Sequence, residues 1–120
     1  METKIKSYKD LIVWQKSFKL TKDIYLLTLR LPKSEIFGLQ SQMKRCAISI
    51  TSNIAEGSSR STRKDYKQFL HIAYGSCSEL ETQLLLTTEL FKIKTDPELM
   101  LLTEISKMIR AIIIKLESRN

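Results

Sequence analysis

The sequence predicts an all-α protein, an antiparallel up-and-down four-helix bundle. Apolar residues recur at helical spacing along nearly the whole chain. Three Gly and two Pro in 120 residues are too few for a β sandwich or barrel, which needs a turn signal every ~8–12 residues. The periodic segments number four and are joined by short loops, so successive helices run antiparallel. The length suits a single domain, residues 1–120, around one core.

The first helix is expected from about residue 10 to 30, with Asp10 as N-cap and Pro32 just past its end. At 100° per residue, Leu27, Leu20, Val13, Ile24, Trp14, Tyr25, Phe18, Leu29 and Leu11 fall in one arc of roughly 200°. A helix packed on one neighbourhood needs only ~100° or slightly more. The second helix, about 37 to 57, carries Leu39, Met43, Cys46, Ile50 and Ile54 on its core stripe. Gly57 stands where a left-handed residue is expected to end it.

The third helix, about 62 to 92, opens at Thr62, with Asp65 in the Glu position of a capping box. Its seam of Tyr66, Leu70, Ala73, Cys77, Leu80, Leu84, Thr87 and Phe91 advances in steps of four and three. A second stripe of Ile72, Leu86 and Leu90 runs behind that seam. Gly75 in mid-helix costs about 1 kcal/mol relative to Ala, which suggests a close backbone approach there. Asp96-Pro97 starts the fourth helix, about 97 to 118, and Leu102, Ile105, Ile109, Ile112, Ile113 and Leu116 give it a buried face. The surplus apolar arcs on the first and third helices predict self-association through Leu11, Trp14, Phe18, Ile72, Leu86 and Leu90.

Catalysis finds little support. His71 is the only histidine, and no Glu precedes a His by three residues. Cys46 and Cys77 occupy core positions, where Cys behaves as a small apolar residue. There is no Gly-rich phosphate loop. The expectation is a non-enzyme with no metal and no cofactor. No apolar run approaches the ~20 residues that span a bilayer. Met1-Glu2-Thr3-Lys4 opens no signal-peptide pattern, and two cysteines make no disulfide framework, so a cytoplasmic location is expected.

Charge carries the functional reading. Twenty Lys and Arg against 13 Asp and Glu give +7, and the first 33 residues alone hold eight basic against three acidic residues. The candidate polyanion contacts are Lys9, Lys16, Lys19, Lys22 and Arg30, with Lys44 and Arg45 on the second helix. Arg60, Arg63, Lys64 and Lys67 form a further patch around the turn into the third. The helices are too long for a helix-turn-helix unit. Trp14, Phe18 and Tyr25 are expected to point into the apolar arc, so nucleic-acid binding is read as backbone-directed and sequence-tolerant. The alternatives are a solvated basic face and a scaffold that recruits an acidic protein or a nucleic-acid enzyme.

A polar stripe of Gln42, Arg45, Ser49, Ser52, Asn53 and Glu56 borders the core of the second helix. It reads either as a hydrogen-bond ladder that fixes helix register or as a ligand strip with Arg45 on phosphate. Glu56 opposes the helix macrodipole, so a backbone N–H of the next turn or an Arg of a neighbouring subunit is expected to hold it.

Asp10-Leu11, Val13-Trp14-Gln15, Leu31-Pro32, Gly38-Leu39, Gln42, Arg45, Ser49 and the run Ser52-Asn53-Ile54-Ala55-Glu56-Gly57 follow in a distinctive order, with Gly75-Ser76 and Glu79-Leu80-Glu81 after them. The chain resembles the bacterial four-helix-bundle family that includes proteins encoded in intervening sequences of 23S ribosomal RNA genes. It is also similar to the accessory variability protein of diversity-generating retroelements. Leu31 stands where Phe often precedes the Pro, Cys46 where Ala is usual, and Tyr74 where Arg is common, so no role of that Arg transfers. The resemblance implies an up-and-down bundle that assembles as a ring, typically a homopentamer, without enzymatic activity. It further implies that the basic surface binds nucleic acid.

Overall fold

The computed structural model describes residues 6–118, and the charged residues Glu2, Lys4 and Arg119 lie outside that range. Four helices make up the described chain: α1 Ile12–Thr28, α2 Leu39–Ser58, α3 Arg63–Phe91 and α4 Asp96–Glu117. Each packs on its chain neighbours, and α4 closes the square on α1. Cross-helix partners rise in one helix as they fall in the next: Thr21 meets Ala47 and Thr51, while Tyr25 meets Lys44. Likewise Met43 meets Thr87, Ser49 meets Ser76, and Gly57 lies against Phe69. That is the antiparallel up-and-down bundle. Its long dimension of 48 Å matches the ~43 Å expected of a 29-residue helix such as α3.

The core is the stack of inward stripes. Val13, Leu20, Ile24 and Leu27 of α1 face Met43, Ile50 and Ile54 of α2; Leu70, Leu80 and Leu84 of α3 face Ile105, Ile109 and Ile113 of α4, all buried. Each fully buried Leu or Ile stabilises the fold by roughly 1.5–3 kcal/mol relative to exposure. The buried hydroxyls of Ser17 and Thr87 are satisfied within their own helices. Ser17 donates to Val13 O at 2.7 Å and Thr87 to Gln83 O at 2.8 Å.

Helix ends depart from expectation in four places. Asp10 does not cap α1. It closes a capping box with Ser7 around a 3-10 turn, Tyr8–Asp10, and α1 begins after Leu11. Gly57 is not a left-handed terminator, since no Gly has positive φ and α2 runs on to Ser58. The left-handed residue is Lys92, φ 58°, which ends α3. Thr95, not Asp96, is the N-cap of α4, with Pro97 in its first turn. The buried Thr95 hydroxyl turns back to α3, 3.1 Å from that of Thr88, and Thr88 in turn donates to Ile93 O at 2.7 Å. Thr62 caps α3 by accepting from the Asp65 N–H at 3.1 Å.

The two glycines within helices differ in what surrounds them. A Cβ on Gly57 would stand 2.8 Å from Phe69 Cβ and 3.2 Å from Tyr66 O, so α2 and α3 touch there. At Gly75 a Cβ would meet nothing within 4 Å. The close approach read at Gly75 therefore belongs to Gly57 within this chain.

Candidate nucleic-acid interface

The basic residues sort into three regions. The first is the bundle end where the Tyr8–Asp10 turn lies beside the α2–α3 connection: Lys6, Tyr8, Leu11, Ser58, Ser59 and Tyr66 line one recess there. Lys9 belongs to this end together with Arg60, Arg63, Lys64 and Lys67, which are more than fifty residues away in sequence. Arg60 is partly committed, since its guanidinium pairs with Glu56 at 2.7 Å and lies 4.8 Å from the Phe69 ring. The cation that holds Glu56 thus stands one turn onward in the same chain, where a backbone N–H or an Arg of a neighbouring subunit was expected.

The second region is the outer face of α1 and α2. Lys22 Nζ stands 5.5 Å from the Phe18 ring centre, and Lys44 Nζ 4.8 Å from that of Tyr25. Trp14 packs between Tyr8 and Phe18, with centroids 5.2 and 5.0 Å apart. Phe18 is 47% exposed and Tyr25 40%, so these rings do not point into the core as the sequence suggested. Val13, Leu20, Ile24 and Leu27 fill the inward part of the arc and leave the aromatic edge outside. On the far flank of α1, Lys16 pairs with Glu104 of α4 at 3.1 Å, and Lys19 with Asp23 at 2.8 Å. Arg30 is exposed beyond the helix end.

The third region is an open groove of about 470 Å³ between α2 and α3, lined by Gln42, Arg45, Ser49, Ser76 and Glu79 among others. The Ser49 and Ser76 hydroxyls share a hydrogen bond at 2.8 Å. Asn53 Nδ2 donates to Ser49 O at 2.8 Å and reaches Ser49 Oγ at 3.1 Å. The polar stripe of α2 is therefore linked to α3 through Ser76, a partner its own periodicity does not reveal.

Of the eleven candidate cations, Lys9, Lys22, Arg30, Lys44, Arg45, Lys64 and Lys67 make no ion pair among the described residues. Much of the positive charge is thus not neutralised among the described residues. Burial pushes the Cys46 thiol up to about 11, offset in part by a hydrogen bond from Gln83, and the Cys77 thiol up to about 12. Both are thiols, not thiolates, at neutral pH. His71 is exposed on α3, and no three His, Cys, Asp or Glu among the described residues are gathered as a metal would need. Nor is any helix among them long and apolar enough to cross a membrane.

The surplus apolar residues divide. Phe18, Ile72, Leu86 and Leu90 are exposed. Leu11 and Trp14 pack onto the chain's own core, half-buried, because the turn before α1 folds over them. Leu85, exposed beside Leu86, escaped the helical-wheel reading because it lies off the second stripe.

A model of the 23S rRNA-intervening sequence protein family matches residues 9–113. Among solved structures, the chain is similar to the crystal structure of a protein with unknown function from the S23 ribosomal protein family of Bacteroides thetaiotaomicron. The two share 27% sequence identity and a TM-score of 0.78, over 85% of this chain and 98% of that one. No curated protein matches the chain.

Proposed function

The chain belongs to the 23S rRNA-intervening sequence protein family, and on that premise we propose that it is a non-catalytic, self-assembling cytoplasmic bundle that binds nucleic-acid backbone. The observation that supports this best is that Lys22 and Lys44 on the α1–α2 face, and Lys9, Lys64 and Lys67 at the α2–α3 end, have no carboxylate partner among the described residues. Unneutralised cations on a +7 chain attract polyanions by steering and counterion release. Phosphate contacts of this kind position the ligand without reading its sequence.

Assembly rests on the exposed stripe of Ile72, Leu86 and Leu90 along α3. Covering such a row in a second copy removes apolar surface from water and stabilises the contact. The fivefold ring implied by the family resemblance would also pool the charge of its copies. That stripe favours the second reading, a scaffold that recruits another protein.

Filter binding of arbitrary RNA at two salt concentrations tests the first reading. Affinity should fall steeply with salt, and reversal of Lys22, Lys44 and Lys64 should flatten the slope by about 0.7–0.9 per lost phosphate contact. Failure to retain RNA even at low salt would leave the scaffold standing. Light scattering tests assembly, which a strictly monomeric particle at micromolar concentration would refute.

A further inference from the structure

We propose that the outer face of α1 and α2 is a stacking platform for single-stranded nucleic acid. In it the rings of Phe18 and Tyr25 take unpaired bases, and Lys22 and Lys44 take the adjoining phosphates. This rests on the nucleic-acid reading above and narrows it to a substrate class.

The first support is that these rings are not needed inside. The inward residues of α1 already fill its share of the core, yet Phe18 and Tyr25 remain 47% and 40% exposed on one outer line. Seven residues separate them, about 10 Å along the helix at ~1.5 Å per residue. That spans roughly three stacked nucleotides at ~3.4 Å each. The second support is the position of the cations. Lys22 and Lys44 stand over the two ring faces, 5.5 and 4.8 Å from their centres, with no carboxylate partner among the described residues. Lys22 is exposed and Lys44 half-buried, and an ammonium held only weakly on a ring near the surface is readily exchanged for a phosphate. Aromatic faces interleaved with unpaired cations are what single-strand binders combine.

Two other occupants fit less well. A duplex keeps its bases stacked on one another and offers the rings nothing to take. A second copy of the chain would have to cover two lysines, a residue type depleted from protein–protein interfaces. The α3 stripe of Ile72, Leu86 and Leu90 suits a protein partner better, being aliphatic and neighboured by the acidic Glu79 and Glu89 of the same helix. Charge thus assigns the two apolar surfaces to different partners.

Trp14, the only tryptophan, lies 5.0 Å from Phe18 and reports on the platform. The full chain is titrated with a 20-nucleotide oligo(dT) and with a 20-base-pair duplex at matched salt, following Trp14 emission. Oligo(dT) should bind tighter than the duplex and shift or quench that emission. Phe18→Ala, Phe18→Leu and Tyr25→Ala should each weaken oligo(dT) binding about 5- to 150-fold with the salt slope unchanged. Phe18→Leu keeps the apolar bulk and removes only the ring, so its loss cannot come from unfolding of the helix. Lys22→Gln and Lys44→Gln should each reduce the slope by about 0.7. Equal binding of strand and duplex with Trp14 unmoved, or full affinity in Phe18→Leu, would overturn the platform and leave backbone binding intact. Absence of any binding at low salt would overturn both. Self-association of the parent chain that Phe18→Leu and Tyr25→Ala abolish would assign the face to a second copy, and the platform would fall.

Discussion

Gly57 of α2 faces Phe69 of α3 so closely that a Cβ on the glycine would stand 2.8 Å from the Phe69 Cβ. Tyr66 O, a backbone atom, would lie 3.2 Å away on the same side, so a rotamer change cannot make the room. Gly57→Ala gains ~0.5–1 kcal/mol of helix propensity and loses ~1–3 kcal/mol to overpacking. The second effect is larger. Urea unfolding should show a net loss of about 1–2 kcal/mol, with the midpoint lowered and the m-value unchanged.

Gly75→Ala should have the opposite sign. The Cβ would enter open space, and the residue sits in the interior of a 29-residue helix. Propensity alone then acts, and stability should rise by about 0.5–1 kcal/mol. A fall in thermal midpoint would show that something the single chain lacks needs that space.

Lys92 holds a left-handed conformation, φ 58°, that costs a side-chain-bearing residue roughly 1–2 kcal/mol. Its ammonium donates to Glu89 O at 3.1 Å, an exposed bond worth little in water. Relief of strain exceeds that loss and glycine's greater unfolded-chain entropy. Lys92→Gly should therefore stabilise by about 0.5–1 kcal/mol in thermal melts.

The Ser49–Ser76 pair predicts coupling. Either alanine substitution removes the 2.8 Å bond, and Ser49→Ala also removes the 3.1 Å contact from Asn53 Nδ2, at about 1–2 kcal/mol apiece. The double variant should lose less than the sum, by about 0.5–1.5 kcal/mol. Strict additivity in chemical denaturation would show that water already serves both hydroxyls.

Alkaline stability should depend on the buried thiols. Cys46 and Cys77 titrate near 11 and 12 in the fold against 9.0 ordinarily. The unfolded chain therefore loses its thiol protons first. The contribution is fully present below pH 9 and is lost as pH rises through 9 toward 11–12. Comparison of unfolding midpoints at about pH 8 and about pH 10.5 should show a smaller alkaline loss in Cys77→Ala than in the parent chain. An equal loss in both would place the sensitivity elsewhere.

Much of this molecule was legible from local rules. The apolar stripes mark four helices whose ends fall within two residues of the expected ones, and Thr62 and Pro97 mark two helix starts by their own chemistry. Gly57 stands out in the sequence as a helix terminator, whereas its place in the fold is a helix contact. A glycine at a helix end and a glycine at a helix contact look alike in one dimension. Arg60 as the partner of Glu56 was also available, four residues on, because such pairs follow from helical geometry alone.

What the chain by itself determined is its periodicity, its excess of cations and its surplus of apolar side chains, since each is a property of neighbours within a few residues. Tertiary structure decided where the surplus went. It sent Leu11 and Trp14 inward and left Phe18 and Tyr25 outside beneath Lys22 and Lys44. It also joined Ser49 to Ser76 across two helices. The reason is geometric: an arc of roughly 200° defines which residues are apolar, but only the positions of the adjacent helices decide which part of that arc is covered.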